Sequence, residues 1–367
     1  MKKVGIITMH RIINYGSALQ AYATLKSVSM LGYKAELIDY IFPNKKKNLS
    51  LSAKIKNFVF RSVLILFHGN KKKRFNLFYD KYYNCSQQFQ TPAELKNASL
   101  SYDILLTGSD QVWNPIHTED DLSFLLSFST DNTAKVSYAS SFSKSVLPDE
   151  YKVVYAKHLK EYKHISVREN SGINIVQELI GKKPFCACDP TLLLSKKEWT
   201  DLAQQGEQLV KDKYILLYIL TYAYNPYPEI LNIIEYVKKK ANLPVVILDG
   251  SLSTNRIEGA LNIKCAGPLE FLRLIKDAEF VVTTSFHGTA FSLNFEKPFF
   301  SVLSNNSKSD TRILDLLTAV GAKERALIYN VPVNDTSLDM DYSIVTLKVE
   351  AIRKRSYDYL DMILKDC

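Results

Sequence analysis

His287 is the residue best placed to do chemistry. It lies in Thr283-Thr284-Ser285-Phe286-His287-Gly288, a polar turn between the apolar run Phe280-Val281-Val282 and an apolar-periodic segment from Ala290 to Phe295. An imidazole titrates near neutrality and can serve as a general acid or base. The backbone N–H groups around Ser285, Phe286 and Gly288, at the start of a helix, can receive an anion. Five more polar residues stand in turns of the same kind: Asn14 in HRIINYGS, Asp110 in TGSDQVWNP, Arg168 in ISVREN, Asp189 in DPT and Arg312 in DTR. Asp110 is a second acid/base candidate. Arg168 and Arg312 can hold a carboxylate or phosphate in a planar fork. Asn14 and Asp189 add polar contacts for a substrate. Each residue also has an ordinary structural use: Asn14, Ser17 and Asp110 can cap helices, and Arg168 can pair with a neighbouring acid. No apolar core needs the run of small polar groups ahead of His287, and that run points to a ligand. No nucleophile–base pair, Walker loop or metal-ligand cluster accompanies these residues, and Cys186-x-Cys188 is too tight for the usual zinc or thioredoxin spacing. The expected chemistry is acid/base work on an anionic substrate, with no metal and no cofactor.

These residues need strand ends to carry them. Val4–Thr8, Ala35–Ile38, Asp103–Leu106, Lys135–Ala139 and Tyr162–Val167 read as strands of a first half; Tyr214–Tyr218, Val245–Leu248, Phe280–Val282 and a last strand, Phe299–Val302, read as a second. Their uninterrupted apolar runs are those of strands buried on both faces. Helices are expected over Ser17–Leu31, Ile230–Lys240 and Leu269–Asp277, from Asp310 to Gly321, and from Ser343 to Lys365. The alternation predicts an α/β chain with two Rossmann-like domains facing a central cleft. The expected organisation is 1–205 for the first domain, 206–345 for the second and 346–367 for a terminal helix free to return to the first, with a linker over Thr200–Lys213. Residues 43–100 break the pattern and read as a basic, helical insertion. No GxGxxG dinucleotide fingerprint follows the first strand.

Lys+Arg number 47 against 38 Asp+Glu, a net charge of +9 concentrated in Lys45–Lys47, Lys54, Lys56, Arg61 and Lys71–Arg74. No helix-turn-helix, zinc-finger or RNA-recognition signature accompanies that cluster, so nucleic acid is not an expected partner. No apolar run approaches the roughly 20 residues that span a bilayer. The amino-terminal residues lack the apolar region of a signal peptide, and the five cysteines form no disulfide framework, so a cytoplasmic protein with reduced thiols is expected.

Seven ordered stretches carry a likeness: NYGSALQAYA (14–23), GSDQVWNP (108–115), SYASSF (137–142), SVRENSG (166–172), DPTLLL (189–194), GPxEFL (267–272) and TSFHGTAF (284–291). In these the chain resembles the bacterial polysaccharide pyruvyl transferase family over nearly its full length. The resemblance implies a glycosyltransferase-B-like fold. It also implies transfer of the pyruvyl unit of phosphoenolpyruvate to two hydroxyls of a sugar as a ketal, with release of phosphate, in the assembly of a capsule or exopolysaccharide. His287 and Arg168 match donor-site residues of such enzymes, and Asp110 joins His287 as the acid/base pair. Characterised members often carry an arginine where this chain has Ser285, which leaves Arg312 or Arg256 to supply that cation. The implied partners are phosphoenolpyruvate and a sugar acceptor, possible on a lipid diphosphate carrier. The apolar run Phe58 to Phe67 between lysine blocks then suggests peripheral contact of residues 45–74 with the inner membrane face. The alternatives are a glycosyltransferase using a nucleotide sugar, or a non-catalytic sugar- or anion-binding protein.

Overall fold

Four-residue runs such as Ile-Leu-Leu-Thr, Ile-Leu-Leu-Tyr and Phe-Val-Val-Thr have no polar face to give to water, and each becomes an inner strand of a parallel sheet. The computed structural model describes every residue except 43–69, 120, 131–132, 222–223, 251–256, 305–310, 329–332 and 334–335. A first sheet has the order β3-β2-β1-β4-β5, formed by β1 (Lys3–Ile7), β2 (Lys34–Tyr40), β3 (Cys85–Phe89), β4 (Ile104–Thr107) and β5 (Ala134–Ser137). A second has the order β10-β9-β8-β11-β12-β13, formed by β8 (Ile215–Tyr218), β9 (Val245–Leu248), β10 (Leu261–Ile263), β11 (Phe280–Thr283), β12 (Phe299–Leu303) and β13 (Ala326–Ile328). A two-stranded ribbon of β6 (Ser166–Val167) and β7 (Phe185–Cys186) continues the first sheet through bridges from Val136 to His164 and from Ser140 to Val167. All the named pairings are parallel. The α/β architecture with two parallel sheets expected from the apolar runs is the one observed.

One core joins the two halves. Helix α1 (Tyr15–Met30) packs its Ala18, Leu19 and Leu25 under the first sheet, and α9 (Pro268–Asp277) and α10 (Phe286–Asn294) do the same under the second. Where they meet, Tyr15 stacks on Phe271 with ring centroids 4.6 Å apart, and its hydroxyl donates to the Ala266 carbonyl at 3.2 Å. Helix α12 (Ser343–Asp366) starts beside α10 and runs back to the ribbon, where Tyr359 stacks on Phe185 at 4.1 Å and Asp366 meets His164 at 2.7 Å.

Several local expectations need correction. Residues 85–89 form edge strand β3, inside the stretch expected to be helical; only Phe89 of it is buried, so no apolar pattern announces it. Phe299–Leu303 is not the last strand, because the three-residue edge strand β13 follows it. The strand expected over Tyr162–Val167 shortens to Ser166–Val167. The linker overlaps α7 (Lys196–Ala203), started by a capping box in which Ser195 and Glu198 exchange hydrogen bonds.

Most of the basic segment, including the run Phe58 to Phe67 and Lys45–Lys47, lies outside the described residues, as does Arg256. Its end forms helix α2, described over 70–82. Lys72 and Lys73 face water, whereas Lys71 and Arg74 turn inward. Lys71 pairs with Asp249 at 2.5 Å and Arg74 with Glu207 and Glu270, so these two cations tie α2 to the second half. Among the described residues, no helix is long and apolar enough to cross a membrane.

Candidate active site

Two helix amino-termini open on the same cleft. At α1, Asn14 is the cap: its backbone is extended and its side-chain oxygen accepts from the Ser17 N–H at 3.1 Å. At α10 the cap is Ser285, whose hydroxyl accepts from the Gly288 N–H at 3.3 Å while its own N–H donates to Thr283 Oγ1 at 3.0 Å. The cleft between them has a volume of about 380 Å³. Asn14, Ser17, Asp110, Gln111 and His117 line it from the first half, and Ser285, Phe286, His287 and Arg312 from the second; Met9, Ile12, Phe42 and Leu220 add apolar surface.

His287 joins the halves. A Cβ built on Gly16 would fall 1.9 Å from His287 Nδ1, so the Nδ1 side of the imidazole packs against the first turn of α1. The glycine of Asn-Tyr-Gly-Ser is there because any side chain would expel the ring. The other ring nitrogen, Nε2, is buried 3.6 Å from Asp189 Oδ2. That oxygen is also 2.7 Å from Arg168 Nη1 and 3.3 Å from Ser109 Oγ, and Asp189 Oδ1 accepts from the Thr191 N–H and hydroxyl at 3.0 and 2.8 Å. Complete burial works against ionising Asp189, but His287, Arg168 and the Thr191 N–H together hold its carboxyl far below the usual carboxylate range. The result is a buried carboxylate aimed at one nitrogen of an imidazole whose other nitrogen faces α1 and the cleft.

Asp110 is strained into place. Its φ of 77° puts a non-glycine residue in the left-handed region, a cost on the order of 1 kcal/mol that persists only where surroundings impose it. Ser17 Oγ donates to Asp110 Oδ2 at 2.5 Å and the Gln111 N–H to Oδ1 at 2.8 Å. Its main chain is fixed by a bridge to Ser140.

Asn14, Asp110, Ser285, Phe286, His287 and Arg312 therefore share one cleft. Arg168, Asp189 and Gly288 do not line it; they stand one layer behind. The Arg168 side chain is 2% exposed, and its guanidinium lies 4.9 Å from the centre of the Phe286 ring, on which Arg312 also packs at 6.0 Å. Among the described residues, Arg168 Nε and Nη2 have no hydrogen-bond partner, Glu169 Oε2 being 3.9 Å from Nε. Gly288 serves packing: a Cβ there would meet Thr283 Oγ1 at 2.4 Å.

Sequence reasoning missed His117, on the short helix α4 (Pro115–Thr118) capped by Asn114, and Gln111 beside it. The available signal was a histidine only seven residues past Asp110 in a chain with six histidines. Desolvation lowers the pKa of His117 below the ordinary histidine value, Lys144 and Arg312 push it the same way, and Asp110 opposes them.

His10, Asp39 and Cys85 also come within 4.8 Å of one another at the ends of β1, β2 and β3. Arg11 already occupies both Asp39 oxygens, at 2.8 and 2.5 Å, and His10 Nε2 is 3.0 Å from Oδ1. Burial, aided by Asp39, raises the Cys85 thiol to about 12. A carboxylate held by a guanidinium beside a protonated thiol is a poor metal ligand set, and the group acts as the anchor of the loop leading to Asn14.

Comparison with known proteins places this geometry. UDP-GlcNAc 2-epimerase from Methanocaldococcus jannaschii, solved with UDP-GlcNAc and UDP, superposes with a TM-score of 0.54 at 13% identity, covering all of both chains. The S. aureus MnaA–UDP structure gives 0.52 at 12% identity over 97% of this chain and 90% of that one. The Neisseria meningitidis UDP-GlcNAc 2-epimerase bound to UDP-GlcNAc gives 0.50 at 10% identity over 98% and 94%. At such identities the likeness speaks to the fold, and the fold is the glycosyltransferase-B-like one. No curated protein sequence matches the chain. The profile of the polysaccharide pyruvyl transferase family matches residues 14–307, from the Asn14 cap of α1 past the Ser285–His287 turn of α10; of the cleft lining, Met9, Ile12 and Arg312 lie outside it. The chain belongs to the polysaccharide pyruvyl transferase family, a family of transferases.

Proposed function

We propose that this cleft transfers the pyruvyl unit of phosphoenolpyruvate to two hydroxyls of a sugar in a surface-polysaccharide repeat unit. The observation that carries the reading is the His287 imidazole, held between Asp189 and the Gly16 backbone in a cleft that Arg312 and two helix amino-termini make attractive to an anion. The overall reaction moves two protons. Both sugar hydroxyls lose one; C3 of the enol gains one to become a methyl group, and the departing phosphate gains the other. Two C2–O bonds form to the sugar as the C2 double bond and the C2–O bond to phosphate are consumed.

His287 suits the protonation at C3. Asp189 takes the Nε2 side of the ring, fixes its plane and stabilises the charged imidazolium, which leaves Nδ1 to exchange the proton. Asp110, held by Ser17 and Gln111, is the base for a sugar hydroxyl. The amino-terminus of α10, with the Ser285 hydroxyl, receives the carboxylate of the donor. Arg168 supports this arrangement through Asp189 and across the Phe286 ring. With Ser285 at the position where an arginine is common in the family, Arg312 supplies a cation to the cleft wall among the described residues.

A lipid diphosphate carrier for the acceptor, and contact with the inner membrane face through the basic stretch 45–74 less the inward-turned Lys71 and Arg74, belong to the same proposal. The test is mass spectrometry of the surface polysaccharide and of its lipid-linked precursors from cells with and without the gene. Loss of one pyruvyl ketal per repeat supports the reading, and an unchanged repeat overturns it. A second reading, a transferase using a nucleotide sugar, draws on the UDP and UDP-GlcNAc held by the fold neighbours. Calorimetry separates the two: tight binding of UDP without binding of phosphoenolpyruvate would favour the second.

A further inference from the structure

We propose that His117, with Lys144 and Arg312, forms an anion subsite at the mouth of the cleft that seats the donor's phosphoryl group and supplies the proton that leaves with it. The inference rests on the pyruvyl-transfer reading and adds to it a residue and an orientation for the donor. Three elements bring the cations together: α4 carries His117, the loop after β5 carries Lys144, and the start of α11 (Thr311–Val320) carries Arg312. His117 and Arg312 line the same cleft as His287, and both Lys144 and Arg312 act on His117 as like charges. His117 and Arg312 on one cleft wall, with Lys144 near enough to act on His117, give that end of the cleft a positive potential that attracts an anion. The acid that acts on His117 is Asp110, whose oxygens already accept from Ser17 and Gln111. His117 stands on a four-residue helix with part of its surface open to water.

Desolvation first, and Lys144 and Arg312 after it, favour the neutral imidazole of His117, and an arriving dianion favours the charged one, so binding is accompanied by proton uptake. When the C2–O bond to the phosphoryl group breaks, its electron pair stays on that oxygen and the His117 proton goes to it. Phosphate then departs as the monohydrogen form. The neutral imidazole is recharged by the proton released from the second sugar hydroxyl. Donor orientation follows: carboxylate toward Ser285 and His287, phosphoryl group toward His117.

Calorimetry on the full-length protein tests this with phosphoenolpyruvate, inorganic phosphate and UDP, each in buffers of different ionisation enthalpy. Wild type should bind phosphoenolpyruvate with uptake of a proton, and His117→Gln should lose that uptake and about tenfold in affinity near neutral pH. His117→Lys should restore the affinity without the uptake, since its charge is permanent. Wild-type uptake and affinity retained in His117→Gln would overturn the subsite while leaving the pyruvyl-transfer reading intact. Phosphate bound with uptake that His117→Gln abolishes, but phosphoenolpyruvate bound no better than phosphate, would keep the subsite and overturn the donor. Absence of both phosphoenolpyruvate and phosphate binding in wild type would overturn both.

Discussion

An imidazole works as a proton carrier only when one nitrogen is held and the other can reach the substrate. In His287, Nε2 faces Asp189 and Nδ1 packs beside Gly16 at the start of α1. His287→Ala should therefore lower turnover by about 10²- to 10⁴-fold with the fold intact, as judged by circular dichroism and an assay of ketal formation. Asp189→Asn keeps the shape and removes the charge that stabilises an imidazolium; its signature should be a displaced limb in the pH–rate profile, with phosphoenolpyruvate affinity nearly unchanged. A profile that keeps its shape would detach Asp189 from His287. Arg168→Lys should act in the same direction, lowering kcat more than donor affinity, because its contact is with Asp189 and not with the cleft. From sequence alone Asp189 and Arg168 read as substrate ligands. Their place behind His287 was not legible, since it depends on a ribbon and an α10 far apart in the chain. That His287, Asp110 and Asn14 share one cleft was legible because each stands in a turn with more polar groups than capping requires.

Elements decide whether those residues meet. The inner strands could be read from their apolar runs, and with them the fold class. Edge strands β3 and β13 could not, because an edge strand with one or no buried residue has no periodicity to display. The turn at α1 shows how closely one element can depend on another. Gly16→Ala would put a methyl group where His287 Nδ1 now is, so either the ring or the first turn of α1 must move. Helix propensity favours the substitution by up to about 1 kcal/mol, so the variant should remain folded. We expect a near-native thermal midpoint together with a loss of activity approaching that of His287→Ala. A fully active Gly16→Ala would mean that the ring and α1 separate during turnover.

At the scale of the whole molecule, the site exists only while both halves keep their relative position, and two helices outside the cleft hold them. Helix α2 reaches the second half through Lys71 and Arg74. Helix α12 does more, through one buried arginine: Arg353 Nε donates to the Leu192 carbonyl at 2.7 Å, Nη2 donates to Asn294 Oδ1 at 3.1 Å, and Glu350 pairs with Nη1. Asn294 Nδ2 in turn donates to the Thr191 carbonyl at 2.8 Å. The loop that carries Asp189 and the helix that carries His287 are thus stitched together at their far ends by a residue that no motif singled out. An arginine in mid-helix looks like surface in the sequence; here it is 9% exposed. Arg353→Met keeps much of the volume but leaves a buried carbonyl and Asn294 Oδ1 without their donors. The cost should be roughly 2–3 kcal/mol, the range for losing hydrogen bonds from a charged group, and it would appear as a lower denaturant midpoint. If the stitch also sets the Asp189–His287 distance, the surviving folded protein should show the same displaced pH limb as Asp189→Asn. Lower stability with a wild-type pH profile would confine Arg353 to holding the fold.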